Sequence, residues 1–244
     1  MEKILTKKSV KAVLAMATQD DGIAIILANR HYIYQLLQHI FGIEPNRELL
    51  YIATNQHTQE ALELMLDEEN CDLNTYLALL TKLRLALSAD PDPTLDKLTS
   101  EYTSLMIGPH KLPAPPWESV YVTKERALFQ ESTLKVRRTY LNYQFLPANY
   151  PHEADDHLAF ELDFMAHLAK LTLERFDQQK IDEVKKLLDD QKAFLQDHLL
   201  VWIGDFAGDM QKSKTHHFYP QMAALTKQFL EADDLALDEL MDLI

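Results

Sequence analysis

Glycine, valine and cysteine are all scarce in this chain of 244 residues. It contains 5 glycines, 7 valines and one cysteine, against 41 leucines. Because valine favours strands and glycine favours tight turns, whereas leucine favours helices, this composition predicts an all-α protein. The single cysteine, Cys71, excludes an intramolecular disulfide framework and a thiolate-rich metal site. A reducing cytoplasmic location fits that cysteine usage.

Basic residues and long apolar runs are also in short supply. The chain has 24 Lys and Arg against 38 Asp and Glu, which gives a formal net charge of −14. This balance argues against nucleic acid as a partner, because binding phosphates needs clustered cations, and it favours a basic partner instead. No stretch approaches the roughly 20 apolar residues of a membrane span. The apolar run after Lys11 is too short for a secretory signal.

Apolar periodicity predicts a single-chain helical bundle of about ten helices. The clearest predicted segments run from Asp20 to Gly42, Thr54 to Leu66, Asn74 to Leu87, Thr94 to Gly108, Ser132 to Pro147, Asp155 or Asp156 onward, Ile181 to Trp202, and Pro220 to Leu230. Pro91 and Pro93 are expected to end one helix before Thr94 caps the next. Gly204 and Gly208 are expected to loosen or end another. The tail 231–244 is predicted as a final acidic helix or a frayed end.

Four prolines cluster between residues 109 and 123, at Pro109, Pro113, Pro115 and Pro116. Proline lacks the amide hydrogen that a helix needs and restricts the residue before it, so this stretch is not expected to form regular helix. The sequence therefore predicts an N-terminal helical half over 1–108, a Pro-rich hinge loop over 109–123 and a C-terminal helical half over 124–244.

Polar side chains gather at the head of the long helix, at Glu153, Asp155, Asp156, His157 and Glu161. Carboxylates at a helix start cap free N–H groups, and residues four apart, such as His157 and Glu161, share a helix face. Capping with one local His–Glu contact is the simplest interpretation. The alternatives are a polar anchor for a cationic ligand, or a metal site with His152 and His167 as further ligands. No known zinc spacing is present, and none of the chain is predicted to hold a metal.

Signatures of catalysis and of cofactor binding are missing. Ser119 lies in no nucleophile elbow, and no motif surrounds Cys71. None of the five glycines belongs to a phosphate-binding loop. His216 and His217 are adjacent, so on a helix they would point in different directions, which favours a solvent-facing or capping role. No catalytic residue and no cofactor are predicted.

Two aromatic residues, Trp117 and Tyr121, follow the proline cluster. They either fill the groove between two helical halves or are held, with Glu118, at a surface cleft by the stiff proline backbone. A groove with aromatic rings beside carboxylates suits a peptide that is basic at one end and apolar after it.

Several motifs in a fixed order carry a family resemblance. They are Glu101-Tyr102 with Gly108-Pro109, Pro115-Pro116-Trp117-Glu118-Ser119-Val120-Tyr121, and Asp155-Asp156-His157-Leu158 with Glu161-Leu162-Asp163-Phe164-Met165-Ala166-His167-Leu168. With Tyr34-Gln35-Leu36-Leu37 before them and His198-Leu199-Leu200 after them, they resemble the TorD/DmsD family of molybdoenzyme maturation chaperones over about residues 21 to 230.

The resemblance implies an all-helical cytoplasmic chaperone that is not an enzyme. Such a chaperone binds the twin-arginine signal peptide and the apo-form of a molybdopterin-dependent reductase, assists cofactor insertion and prevents premature export. The family motif Glu-Pro-x-Asp-His maps onto 153–157, with Ala154 in place of the proline. The residues expected to bind the peptide are Trp117, Glu118, Ser119, Tyr121, Glu153, Asp155, Asp156, His157, Phe160 and Glu161.

Two other functions stay open at this point. One is a metal-dependent hydrolase that uses His157 and Glu161, and the other is a helical adaptor whose partner is a folded protein. Neither nucleic acid nor stable membrane insertion is expected. The Pro-rich hinge is compatible with a monomer and with a domain-swapped dimer.

Overall fold

The computed structural model describes residues 19–66, 72–109, 111–123, 127–147, 153–213 and 218–244. Its helices are α1 (Gln19–Gly42), α2 (Arg47–Thr54), α3 (Gln56–Met65), α4 (Leu73–Ala89), α5 (Pro91–Tyr102), α6 (Glu118–Val122), α7 (Glu131–Asn142), α8 (Leu158–Asp177), α9 (Ile181–Phe194), α10 (Leu200–Gln211) and α11 (Tyr219–Leu243). The all-α prediction is confirmed. The predictions for Cys71, His152, His216 and His217 lie outside the described residues.

Helices α1 and α8 form the centre of the bundle, since they pack along each other more extensively than any other pair. Ile26 and Ile33 of α1 and Leu162 of α8 are fully buried in the shared core. A Cβ atom on Gly42 would lie 3.0 Å from the Cβ of Ala159, so glycine permits the two helices to approach closely where α1 ends. The apolar face predicted for α1 is thus the face that meets α8.

The remaining long helices cover this pair. Helix α9 packs on α8, and α10 packs on α11. A single hydrophobic core runs from Ile23 to Leu240, so it includes residues from both predicted halves. The division into halves around a Pro-rich hinge stays a prediction. None of the described helices is both long enough and apolar enough to cross a membrane.

The helix predicted from Thr54 to Leu66 corresponds to α3, and it is preceded by α2, a helix that was not predicted. Asn46 accepts a hydrogen bond from the Leu49 amide at 2.9 Å, and Asn55 accepts one from the Thr58 amide at 2.8 Å. Each asparagine therefore caps the start of a helix, in the way that short polar side chains commonly do. The sequence prediction missed α2 because it did not give weight to these two caps.

Two expectations about helix ends are wrong, although α4 does end at Ala89, before Pro91, as predicted. Helix α5 begins at Pro91, because proline fits the first helical turn, and the Thr94 hydroxyl donates to the Asp90 carbonyl within that turn rather than capping a later helix. Helix α10 continues through Gly204 and Gly208 to Gln211. The prediction of Pro220 in the first turn of the last helix is confirmed.

Among the described residues, two π-helical turns modify the long helices. Residues Thr103–Ile107 follow α5, and residues Leu195–Leu199 join α9 to α10. A π turn holds one more residue than an α turn, so the side chains after it face a different direction from the one that α periodicity predicts. The tail 231–244, whose state the sequence left open, forms the second half of α11.

Candidate functional site

Residues 111–123, here called the Pro–Trp segment, and the head of α8 are held side by side by main-chain hydrogen bonds. Trp117 and His157 form an isolated antiparallel bridge. The Glu118 amide donates to the Asp156 carbonyl at 3.0 Å, and the Leu158 amide donates to the Pro116 carbonyl at 2.9 Å. The two sequence motifs, almost 40 residues apart, therefore form one local structure.

Asp156 caps the short helix α6, not the helix that it precedes. Its Oδ2 accepts a hydrogen bond at 2.8 Å from the amide of Ser119, in the first turn of α6. Residues 109–123 were predicted to be irregular, yet Glu118–Val122 is helical. No proline follows Pro116 in this stretch, and the Asp156 carboxylate stabilises an exposed amide at the start of α6. The expectation that Asp156 caps α8 is wrong.

His157 is the residue that caps α8. Its Nδ1 accepts a hydrogen bond at 3.1 Å from the amide of Ala159, so this nitrogen carries no proton and the ring is neutral. Burial lowers the pKa of His157 to about 4. The ring packs edge-on against Trp117, with a centroid distance of 5.4 Å, and lies 5.6 Å from the ring of Phe160.

Trp117 also contacts Glu153, the first residue of the 153–157 motif. Its indole N–H donates to Glu153 Oε1 at 2.9 Å, and the Ala154 amide donates to the same oxygen at 3.0 Å. Ala154, which stands where the family motif has proline, therefore uses an amide hydrogen that proline lacks. Glu153 is half-buried and holds the edge of the Trp117 ring in place.

The carboxylates of Glu118, Asp156 and Glu161 lie in the interior, with 3%, 0% and 0% of their surface exposed. Glu118 Oε2 lies 2.8 Å from Nδ1 of His198, which is also buried. Glu161 Oε2 accepts from the indole N–H of Trp202 at 3.1 Å. From the interior, His198 of the π turn therefore bonds to α6, and Trp202 of α10 bonds to α8.

Three carboxyl groups and one imidazole are buried together here, so repulsion between the acids would be strong if all three were ionised. Burial, with the nearby carboxylates of Glu118 and Asp156, raises the pKa of Glu161 well above its ordinary value. Within the described residues, Ser119 Oγ, Asp156 Oδ1 and Glu161 Oε1 have no hydrogen-bond partner although they are buried. We call Glu118, Ser119, Asp156, Glu161 and His198 the acidic cluster.

Asp155 has a separate environment. It is 3% exposed, and its Oδ2 lies 2.7 Å from Nε and 2.5 Å from Nη2 of Arg137 in α7. The buried hydroxyl of Tyr140 donates to the Asp155 carbonyl oxygen at 3.0 Å. Asp155 is thus fastened to α7 by its side chain and by its main chain.

Apolar residues of the Pro–Trp segment line a surface groove of about 470 Å³, which we call the Pro–Trp groove. Its walls are formed by Lys111, Leu112, Pro113, Pro115, Trp117, Val120, Leu128, Asp209 and Lys212. Tyr121 does not line it, because its ring stacks on Trp202 at 5.5 Å on the inner side of α6. Trp117 therefore connects the groove with Glu153 and His157.

The ten residues predicted to bind a peptide all belong to this local structure, but they differ in exposure. The buried ones are Glu118, Ser119, Asp155, Asp156, Phe160 and Glu161. The half-buried ones are Trp117, Tyr121, Glu153 and His157. Of the ten, only the second group meets solvent in this conformation, while Asp155 is buried behind the partly exposed side chain of Arg137. The assignment of all ten to peptide binding stays a prediction.

The local His–Glu contact predicted on α8 does not form. His157 bonds to the Ala159 amide and Glu161 bonds to Trp202, so the two side chains have different partners. In the described residues, no three His, Cys, Asp or Glu side chains are grouped so that they could hold a metal ion.

Sequence reasoning gave no site role to Arg137, His198 or Trp202. The spacing of four between His198 and Trp202 was a usable signal, because it predicts that both lie on one helix face. No such signal marked Arg137, because its partner Asp155 lies 18 residues further along the chain, outside the range of helix-spacing rules. Tertiary contacts alone reveal that pair.

Comparisons with known proteins agree with this architecture. The sequence profile of the family described as nitrate reductase delta subunit matches residues 66–208, more than half of the chain. The chain belongs to that family. The "Probable Tat proofreading chaperone DmsD" of Haemophilus influenzae is 31% identical over 134 residues, which cover 55% of this chain and 59% of the relative. The "Chaperone protein TorD" of Shewanella piezotolerans is 28% identical over 217 residues, covering 84% and 90% of the two chains.

These relatives confirm the resemblance to TorD/DmsD chaperones that the motifs indicated. A crystal structure of a candidate redox enzyme maturation protein from Archaeoglobus fulgidus is also similar. It is 23% identical, covers 83% of this chain and 93% of its own, and superposes with a TM-score of 0.46.

Proposed function

We propose that this member of the nitrate reductase delta subunit family is a cytoplasmic chaperone for a molybdopterin-dependent reductase. It binds the twin-arginine signal peptide and the apo-form of the reductase, assists cofactor insertion and prevents premature export. The observation that carries the proposal is the relationship to a protein named as a Tat proofreading chaperone and to proteins named TorD chaperones, over most of the chain for the latter. It is not proposed to be an enzyme.

The local structure around Trp117 suits a peptide with two arginines followed by an apolar stretch. The Pro–Trp groove offers apolar walls for the stretch, and its prolines restrict the unbound conformations of the backbone. Glu153, bonded to the edge of Trp117, offers a carboxylate beside the groove. A guanidinium group pairs with such a carboxylate through two parallel hydrogen bonds, which a lysine cannot form.

We place the arginine-binding end of the site at Glu153 and Asp155, and the apolar end in the Pro–Trp groove. Glu118, Asp156 and Glu161 act by holding α6 and the head of α8 together rather than by contacting the peptide, because their partners His198, Ser119 and Trp202 are buried as well. Asp155 is also buried, but its partner Arg137 is 41% exposed, so solvent reaches this pair from the Arg137 side. The hydrolase alternative has no observation in its favour, since His157 and Glu161 do not converge.

Isothermal titration with a synthetic twin-arginine signal peptide tests the proposal. We expect binding by the unaltered chain, weaker binding of the same peptide with Lys-Lys in place of Arg-Arg, and on the order of tenfold weaker binding by E153Q. E131Q is the matched control, because Glu131 is an exposed glutamate on α7 that pairs only with Arg138 among the described ion pairs. Absence of binding, or equal binding by E153Q and E131Q, would contradict the site.

A further inference from the structure

One carboxylate of the proposed peptide site already holds a guanidinium group. Arg137 directs both Nε and Nη2 at Oδ2 of Asp155, at 2.7 and 2.5 Å. An arginine of a bound peptide would present the same group to the same oxygen. The unliganded protein therefore contains the kind of contact that its ligand is proposed to make.

The two members of this ion pair differ in exposure. The Asp155 side chain is 3% exposed, whereas that of Arg137 is 41% exposed. In the other described arginine pair that involves a buried aspartate, Arg30–Asp233, both side chains are 0% exposed. The Arg137 side chain therefore has direct access to solvent, whereas that of Arg30 is enclosed in the core.

Asp155 keeps its position by contacts that do not involve Arg137. The Tyr140 hydroxyl donates to the Asp155 main-chain carbonyl at 3.0 Å. The neighbouring residue, Asp156, is fixed through its own main chain to Glu118 and through its side chain to the Ser119 amide. The main chain of Asp155 is thus held independently of Arg137, which keeps the base of its side chain in place when the Arg137 side chain leaves.

We propose that Arg137 is an internal competitor that occupies Asp155 until an arginine of the incoming peptide replaces it, an inference that rests on the proposed function. The exchange replaces one guanidinium with another, so the buried carboxylate is paired before and after binding and its unpaired state is avoided. A lysine has a single ammonium group and does not reproduce the two-donor contact, so it displaces Arg137 poorly. Arg137 therefore makes the site selective for arginine over lysine.

Titration of the twin-arginine peptide into three full-length proteins tests this role. We expect R137Q to bind the peptide on the order of tenfold more tightly than the unaltered chain, because no internal group competes. R137Q should also discriminate less between the Arg-Arg peptide and its Lys-Lys version. R138Q is the matched control, since Arg138 is the next residue on α7 and forms an exposed pair with Glu131, and it should bind like the unaltered chain.

A second pair of variants tests whether the effect of R137Q depends on the Asp155 carboxylate. Thermal unfolding is recorded for every protein, and binding is compared for D155N and for the double variant R137Q/D155N. We expect these two to bind equally, because without the carboxylate there is nothing for Arg137 to block. D155N should bind more weakly than the unaltered chain.

The outcomes separate this inference from the proposed function. Equal or weaker binding by folded R137Q, with normal binding by R138Q, would overturn the competitor role and leave the peptide-binding function intact. Tighter binding by R137Q/D155N than by D155N would also overturn it, because the gain would not depend on Asp155. If none of the proteins binds the peptide, the proposed function and the competitor role are both wrong.

Discussion

The buried polar group that joins α1 to α11 differs from the acidic cluster in the balance of its charges. In the first, Arg30 donates from Nε to Asp233 Oδ1 at 2.6 Å and from Nη2 to Oδ2 at 2.9 Å, while Tyr34 donates to Oδ2 at 2.7 Å. One cation meets one anion, and both aspartate oxygens are bonded. In the acidic cluster, only Glu118 of the three carboxyl groups contacts the histidine, and one oxygen each of Asp156 and Glu161 is unbonded in the described structure.

This difference indicates different purposes for two groups that are equally buried. A charge-balanced ion pair joins the first and last described helices, with only Arg30 Nη1 lacking a hydrogen-bond partner in the described structure. Burying several acids together is unfavourable, but here their contacts join the Pro–Trp segment to α8 and to the π turn, and α8 to α10. We therefore expect changes to the first group to act on stability and changes to the second to act on stability in a pH-dependent way.

The largest expected effect comes from breaking the balanced group. D233A leaves the buried Arg30 charge without its partner, and we expect a loss of about 3–5 kcal/mol in the free energy of unfolding. Urea denaturation followed by circular dichroism measures it. E231A is the control, because Glu231 is half-exposed on the same helix and its pair with Lys227 lies at the surface. A loss below about 1 kcal/mol for D233A would show that the pair contributes little.

The second effect concerns the unbalanced cluster and depends on pH. The raised pKa of Glu161 means that the folded chain retains a proton which the unfolded chain releases once the pH exceeds the ordinary value of 4.5. The stability that this group contributes is complete below that pH and declines as the pH rises towards the folded-state pKa. E161Q cannot titrate, so the decline should disappear.

Thermal unfolding of E161Q and the unaltered chain between pH 5 and 8 measures this behaviour. We expect equal melting temperatures near pH 5 and a melting temperature higher by a few degrees for E161Q at pH 8, corresponding to about 1–2 kcal/mol. The exposed change E131Q should show no pH-dependent difference from the unaltered chain. A higher melting temperature for the unaltered chain at pH 8 would contradict the raised pKa.

The smallest effect is expected from S119A. Ser119 Oγ is buried without a partner in the described structure, so removing the hydroxyl loses no hydrogen bond. We expect a change within about 0.5 kcal/mol or a slight gain in stability. T226V is the comparison, because the buried Thr226 hydroxyl donates to the Met222 carbonyl at 2.8 Å and its loss should cost about 1 kcal/mol. A larger loss for S119A than for T226V would show that the hydroxyl has a partner after all.

The fold class was predictable because it depends on composition and apolar spacing, to which every segment of the chain contributes. Many leucines at helical spacing and few valines are enough to indicate an all-α bundle, whatever the details of packing. Helix ends were less predictable. Pro91 starts a helix that it was expected to precede, because the rule that proline breaks helices does not apply to the first turn.

The candidate site was predictable as a set of residues but not as a set of contacts. The motifs correctly indicated that Trp117 and His157 belong together, and they form a main-chain bridge. Local rules assigned Asp156 to the helix that follows it, whereas it caps α6, because capping rules consider only sequence neighbours. The contact of Glu161 with Trp202 needs both the π turn and the packing of α10, neither of which leaves a local pattern.

The chain has only two tryptophans, and both indole N–H groups donate to a glutamate. Trp117 is half-buried beside the Pro–Trp groove, while Trp202 is fully buried beneath the acidic cluster. Intrinsic fluorescence therefore has two sources in different surroundings. With W202F, the emission reports the arrival of a ligand at the groove, and with W117F it reports the loosening of the interior, so a single optical signal can tell occupancy apart from unfolding.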